Sequence, residues 1–319
     1  MEFSVSVIIP VYNCERFIEK AINSALQQIE VNEVIVVNDG SEDSTFSIVK
    51  KLQLSDSRIQ IFHHENRENK GRSASRNLGI KNAKEDYIAF LDADDFYMKN
   101  RFVNDKNIFK YNNEVEGVYN AIGAQFYREA TIEEKDRLKL FTITEKISPN
   151  NLFDNLLSGK KGHFSIDGLT VKKSIFNNIG YFNEALIVAE DTELIFKMSL
   201  KCILVGGQIN KPVALRGVHD KNVFNSSALY DLYFIKMYEG LVSWSSSNSI
   251  SLENIDKLLK WLWLLRYKTN INLFMHMYFW LYFIIINPRI LFSKLSIKYF
   301  PLIRLRQKLF PFLYKTRQS

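Results

Sequence analysis

The chain has 319 residues, 46% of them hydrophobic and 24% charged, so it can bury a sizeable core beneath a soluble surface, most simply as one large domain with an appendage. Its two cysteines, Cys14 and Cys202, have neither the number nor the spacing of a disulfide framework or a zinc site, which makes a reducing compartment the expectation. The net charge of +7 belongs to the tail, since no Asp or Glu follows Asp256 while Lys257 to Arg317 supply 12 Lys and Arg; residues 1–256 carry a net of −5, which argues against nucleic acid as a partner.

Taken from the N-terminus, nothing has the basic stretch and apolar run of a signal peptide, so the expected place is cytoplasmic, peripheral on the inner face of the cell membrane. Val5-Ser6-Val7-Ile8-Ile9-Pro10-Val11-Tyr12 is a β-branched apolar run that predicts a strand buried on both faces. Asn13 to Gln28 puts Phe17, Ile18, Ala21, Ile22, Ala25 and Leu26 on one helical face. Glu33 to Ser41 repeats the pattern of strand and turn, Ser44 to Leu54 reads as helix, Ile59 to His63 as strand, Ser73 to Asn82 as helix and Tyr87 to Leu91 as strand. Such alternation predicts an α/β sheet of the doubly wound kind, whose ligands collect at the carboxyl ends of the strands. After Asp95 the alternation fades, and residues 112–170 read as acceptor-side loops with isolated apolar runs such as Gly117 to Ile122. Beyond residue 225 long helical patterns take over at Tyr230 to Trp244, Asn254 to Tyr267 and Leu273 to Ile286, the last at 14 residues being short of the ~20 that span a bilayer.

The strongest chemical signal is Ile88-Ala89-Phe90-Leu91-Asp92-Ala93-Asp94-Asp95, a buried strand that runs into three carboxylates. Carboxylates crowded at a strand end raise one another's pKa unless a cation neutralises them, and a hard divalent ion, Mn2+ or Mg2+, shared with substrate phosphates is the natural partner. Asp92 or Asp95 could instead cap the next helix. Asp39, in Asn38-Asp39-Gly40-Ser41, ends the second strand, where it can receive a base or ribose or form an Asx turn.

These segments, with Asn69-Lys70-Gly71 and Ser75-Arg76-Asn77 between them, occur in the order and spacing of family 2 glycosyltransferases, and the chain resembles the non-processive, bacterial surface-polysaccharide members. The resemblance implies a GT-A fold: a Rossmann-like nucleotide-binding domain with a mixed central sheet over residues 1–225, split into a nucleotide-binding half (1–95) and an acceptor-side half (96–225). A helical, basic and aromatic C-terminal region, 226–319, follows. It further implies that Asp39 binds uracil, that Pro10, Tyr12 and Asn13 line the base pocket, and that Asp92, Ala93 and Asp94 meet ribose and the diphosphate-bound metal. Asn69, Gly71 and Arg76 join the nucleotide-sugar set; Arg76 could offset diphosphate charge or be a solvated or packing residue. Gly180 to Leu186 with Glu190-Asp191 is similar to the family's second signature, in which Asp191 matches the catalytic base and Glu190 supports it; the plain alternative is an acid-rich helix N-terminus. His219, followed by Ser226 and Ser227, matches a metal- or diphosphate-contacting histidine of some relatives, the plain alternative being a surface histidine, and Asp95 is assigned a supporting role.

The expected function is inverting transfer of a single sugar, hexosyl or N-acetylhexosaminyl, from a UDP-sugar to a lipid-linked glycan or glycolipid, because the Gln-x-x-Arg-Trp motif of processive synthases does not occur. Two rivals stand beside it. A nucleotidyltransferase would need a glycine-rich loop after the first strand, and Pro10 to Cys14 has no glycine; a non-catalytic membrane scaffold would not need Asp39, Asp92, Asp94 and Asp191 together. The tail, with Trp261, Trp263, Trp280 and Arg304-Leu305-Arg306-Gln307-Lys308, has the composition of an interfacial anchor on an anionic membrane, while the 273–286 helix could pack on the domain, on a second copy in a homodimer, or in the membrane.

Overall fold

Strand β1 (Val5–Val11) is buried along its whole length, and helix α1 (Ile18–Leu26) lays Ile18, Ala21, Ile22 and Ala25 into the same apolar cluster. The computed structural model describes residues 3–220, 222, 227–268 and 272–309, in two compact units, Met1–Ser226 and Ser227–Ser319. The helix expected from Asn13 starts only at Ile18. Asn13 sits at φ 47° and its Oδ1 accepts the Glu42 N–H at 2.8 Å, which ties this stretch to a neighbouring loop before the helix begins.

In the first unit β2 (Val31–Asn38), α2 (Thr45–Ser55), β3 (Ile59–His63), α3 (Gly71–Asn82) and β4 (Tyr87–Phe90) continue the alternation, with β3-β2-β1-β4 all parallel. Then come β5 (Phe96–Tyr97), α4 (Val103–Tyr111), β6 (Gly117–Tyr119), β7 (Ile122–Phe126), α5 (Ile132–Leu138), α6 (Pro149–Ser158), β8 (Leu169–Lys172), α7 (Phe176–Ile179), α8 (Glu190–Lys201), β9 (Leu204–Gly206) and β10 (Ala214–Val218). The central sheet is mixed, in the order β3-β2-β1-β4-β8-β6-β9, with β8 antiparallel to both β4 and β6. A second sheet has the order β5-β10-β7.

Residues 112–170 are therefore not a run of loops. The single apolar run Gly117 to Ile122 is cut into two strands that join different sheets, and the cut falls at Asn120. That side chain is fully buried: it donates to Gly168 O and Asp105 Oδ1 and accepts the Gln208 N–H. A polar side chain with partners on every side can hold a buried bend that apolar periodicity conceals.

Proline inside a central strand needs a reason, because it lacks a ladder donor. Ile8 O accepts the Leu91 N–H from the β4 side, and Val11 O accepts the Asp39 N–H from the β2 side. Pro10, in phase with Ile8, therefore faces the β4 side, where pairing has already ended at Ile8 and Phe90. The gap opens at the carboxyl end of the sheet.

The second unit holds α9 (Ser227–Ser247), α10 (Leu252–Arg266) and α11 (Leu273–Ile286), followed by short helical turns to residue 309. Its interior is built on Leu258, Leu259, Leu262 and Trp263 of α10. No helix among the described residues is long and apolar enough to cross a membrane.

Candidate active site

The carboxyl ends of β1, β2 and β4 lie side by side, and the loops that leave them carry most of the residues singled out by the motifs. After β2, Asp39 is buried, and its two carboxylate oxygens accept the N–H groups of Lys70 (2.7 Å) and Gly71 (2.9 Å). It thereby anchors the N-terminus of α3, where unpaired N–H groups favour an anion. Gly40 is required next to it. At φ 76° a Cβ here would lie 2.8 Å from the Arg67 carbonyl oxygen. His64, without a role in the motifs, joins this corner with Nε2 3.0 Å from Ser75 Oγ and 3.4 Å from Asp39 Oδ1. Pro10 is buried in β1, while Tyr12 and Asn13 beyond it, and Asn69 before α3, are exposed.

After β4 the three acids separate. Asp92 turns to Arg76 of α3, which is 1% exposed and donates to Asp92 Oδ1 at 2.6 Å and to Glu190 Oε1 of α8 at 2.8 Å. Arg72 adds an ion pair to the same Glu190 oxygen at 3.1 Å. Burial works against the Arg76 charge, but Asp92, Glu190 and Asp191 together hold its pKa above the usual range. Burial likewise acts to raise the Asp92 carboxyl, and Arg76 and Arg72 overcome it and hold the group below the usual range. The Arg76 guanidinium is thus paired with two protein carboxylates, the packing role open to it in the sequence.

Asp94 turns the other way. Its Oδ2 lies 2.9 Å from His219 Nε2, and Asn222 Nδ2 approaches the same oxygen at 3.3 Å. The His219 ring stacks on Phe17, 5.2 Å between centroids and 13° from parallel. The loop is held against β10 by a very close approach: a Cβ on Gly217 would lie 2.3 Å from the Asp94 carbonyl oxygen, and the Gly217 N–H donates to Asp95 Oδ1 at 2.8 Å. Asp95 is thus a buried support for β10. Burial, then the charges of Asp167, Asp94 and Asp92, push its carboxyl well above the usual range.

Asp167 and Arg216 are side chains beside the acid cluster that the motifs did not single out. Asp167 Oδ1 accepts the Asp92 N–H at 3.0 Å and Ser165 donates to Oδ2 at 2.9 Å; burial and then the Asp92 charge push it up to about 6. Arg216 donates to Ser165 Oγ at 3.2 Å, and although burial opposes its charge, Asp95, Asp167 and Asp92 raise its pKa. The sequence signal for Asp167 was only an Asp-Gly pair ahead of a short strand. Antiparallel pairing of β8 with β4 is what brings it to the acid cluster.

Two sets of side chains could receive a divalent cation. Asp92, Asp95 and Asp167 each offer an oxygen within 4.8 Å of the others. Asp95 and Asp167, however, are 3% and 1% exposed and already accept backbone N–H groups. Asp94 and His219 fit better. Both are partly open, and their 2.9 Å separation equals that of neighbouring corners, roughly 3 Å, in an octahedron of about 2.1 Å bonds. One carboxylate oxygen with one imidazole is a donor pair suited to Mn2+ and acceptable to Mg2+.

Asp191 stands in the first turn of α8, half-buried, with Oδ1 accepting the Thr192 N–H at 2.7 Å. The turn is set by Ala189 in the left-handed region at φ 64° and by the Glu190 pairs to Arg72 and Arg76. Asn77 of α3 grips the preceding loop, accepting the Phe182 N–H and donating to Phe182 O and Glu184 Oε1. Ser226, noted beside His219, lies outside the described residues.

The sequence pattern of Glycosyl transferase family 2 matches residues 6–179, more than half of the chain. An uncharacterized glycosyltransferase of Rickettsia felis is 36% identical over 197 residues, 61% of this chain and 31% of that protein. Glycosyltransferase GlyA of Streptococcus pneumoniae is 31% identical over 181 residues, 48% of this chain and 25% of that protein. The chain thus matches less than a third of the length of either relative. Among solved structures, S. aureus TarS 1–349 in complex with UDP-GlcNAc aligns with a TM-score of 0.64 over 96% of this chain and 92% of that one, at 17% identity, a likeness of fold.

Proposed function

The chain belongs to glycosyl transferase family 2, and from that premise we propose an inverting, metal-dependent, non-processive glycosyltransferase that moves one sugar from a UDP-sugar to a hydroxyl of a lipid-linked glycan. The setting proposed is surface polysaccharide assembly at the inner membrane face. The observation that carries the reading is the buried Arg76 bridge. It joins Asp92, at the strand end where nucleotides collect, to Glu190, the residue next to the general base, so that both halves of a two-substrate site are held by one side chain.

In the proposed reaction the acceptor hydroxyl oxygen attacks C1 of the donor sugar from the face opposite the diphosphate. The new C–O bond forms as the bond from C1 to the diphosphate oxygen breaks, and the configuration inverts. Asp191 takes the hydroxyl proton, and UDP departs with the bonding pair. A divalent ion at Asp94 and His219 would supply positive charge opposite the leaving diphosphate. Asp39 orders the N-terminus of α3 beside the base pocket, and a carboxylate oxygen that already accepts one N–H keeps a lone pair for a uracil N–H. Glu190, held by Arg72 and Arg76, fixes the turn that carries Asp191.

TarS was solved with UDP-GlcNAc, which makes UDP-GlcNAc the first donor to try. The test is a panel of UDP-sugars scored for thermal stabilisation and slow release of UDP, with Mn2+, with Mg2+ and with chelator. One UDP-sugar is expected to raise the Tm and to be turned over only with metal. A panel in which no UDP-sugar stabilises or is cleaved would overturn the donor assignment.

A further inference from the structure

Helix α11 is apolar on both of its sides, and only one side is used by the second unit. On that inner side the His276 ring stacks on Tyr267 at 4.5 Å, Phe279 and Phe283 meet Trp263 edge-on at 5.7 and 6.5 Å, and Trp280 Nε1 donates to Ser296 O at 3.0 Å. The other side presents Phe274, Tyr278, Leu281, Tyr282 and Ile285, with Phe274 and Ile285 74% and 75% exposed. Positions 274, 278, 281 and 285 follow the helical repeat and form one continuous stripe. No Asp, Glu, Lys or Arg occurs from residue 272 to residue 288, so nothing charged interrupts it. Phe292, 78% exposed, follows just beyond. An apolar stripe of this length is a contact surface rather than ordinary solvent-facing protein.

Charge decides what it contacts. Arg289, Lys294, Lys298, Arg304 and Lys308 follow the stripe, and the whole stretch 257–319 has no acidic side chain. A second copy meeting this face through the same stretch would bring basic side chains against basic ones, with no carboxylate in 257–319 to pair them. An anionic lipid surface answers both features, taking the apolar stripe into the acyl boundary and the ammonium and guanidinium groups at its phosphates. The stacked Tyr278 and Tyr282 rings, 6.2 Å apart, are the residue type that settles at headgroup depth. With 14 residues, α11 is too short to cross and suited to lying flat.

We propose that α11 is an in-plane membrane helix that inserts its Phe274, Tyr278, Leu281 and Ile285 stripe into an anionic bilayer, with Arg289, Lys294 and Lys298 at the lipid phosphates. The inference rests on the membrane-side acceptor proposed above and names the surface that reaches it. Of the three places open to the 273–286 helix, on the domain, on a second copy or in the membrane, it takes the last for the outer stripe.

The test is sedimentation of the full chain with vesicles of phosphatidylcholine and phosphatidylglycerol, and with phosphatidylcholine alone, in the absence of any sugar nucleotide. UDP-sugar turnover is measured separately in detergent, so failure of one reading is distinguishable from failure of the other. Wild-type protein is expected to partition onto the anionic vesicles and only weakly onto the neutral ones. A Phe274→Ser, Ile285→Ser double variant should lose about tenfold or more of that partition with its melting temperature unchanged. Arg289→Gln and Lys294→Gln should each lower it by about fivefold, on anionic vesicles only. Both serine changes fall on exposed positions; if the double variant nonetheless fails to fold, the two single variants and the charge variants carry the same test. Equal partition of wild type and serine variants overturns the proposal, as does absence of wild-type binding. A dimer in light scattering that the serine variants dissolve, without vesicle binding, would assign the face to a second copy instead.

Discussion

Arg76 and Asp94 carry the most consequence at the scale of single residues. Arg76 bridges two carboxylates at 2.6 and 2.8 Å in a buried site. Removing one partner from such an arrangement leaves uncompensated charge behind, so Arg76→Met should cost about 3–5 kcal/mol, read from the denaturation midpoint. Arg76→Lys keeps the charge but not the fork that spans both oxygens. It should fold, bind UDP nearly as well as wild type, and lose turnover because the Glu190 side of the turn bearing Asp191 slackens. An Arg76→Lys protein with wild-type kcat would remove the bridge from the account. Asp94→Asn and His219→Asn should each weaken metal-dependent UDP binding by about tenfold or more in calorimetry, following the loss of a ligand from a shared site. If instead Asp167→Asn abolishes the metal dependence while Asp94→Asn retains it, the cation belongs to the three-carboxylate group.

At the scale of elements, β10 is held against the acid loop by the least forgiving contact in the site. Gly217→Ala would place a methyl 2.3 Å from the Asp94 carbonyl oxygen, a backbone atom that cannot swing aside. The variant should remain folded at a cost of about 1–3 kcal/mol and lose metal-dependent UDP binding, because His219 moves with β10; calorimetry on a protein with normal circular dichroism is the check. These elements also mark where the sequence is legible. β1, β2, β3 and β4 were readable because each is an apolar run that ends in a polar turn, and the site acids stand at those ends, so Asp39, Asp92 and Asp94 are found without coordinates. Asp167 and Arg216 were not readable, since one precedes and the other lies in a short strand whose pairing with β4, or with β5 and β7, is set by tertiary contacts. Arg76 is found for its position, but its pairing with Glu190 is not legible. A motif specifies neighbours along the chain, whereas Glu190 is 114 residues away.

For the molecule as a whole, the basic excess lies in the second unit, whose 13 Lys and Arg face 4 Asp and Glu. The acids end at Asp256, which still has a structural duty: Ser293 donates to its Oδ1, and so does the Leu295 N–H at 3.2 Å. Residues 288–300 therefore belong to the fold of the second unit. Removing 288–319 would uncover Trp280 together with Trp263, which makes point substitutions on α11 the cleaner probe of membrane contact. The catalytic proposal is independent of that contact, and in it Asp191 is the group that takes the acceptor proton. Its most direct test is metal-dependent UDP release from the UDP-sugar that stabilises the protein best, with acceptor present, for wild type and Asp191→Ala. Asp191→Ala is expected to bind the donor as wild type does and to release UDP at least about a hundredfold more slowly. Turnover by Asp191→Ala at the wild-type rate would contradict it.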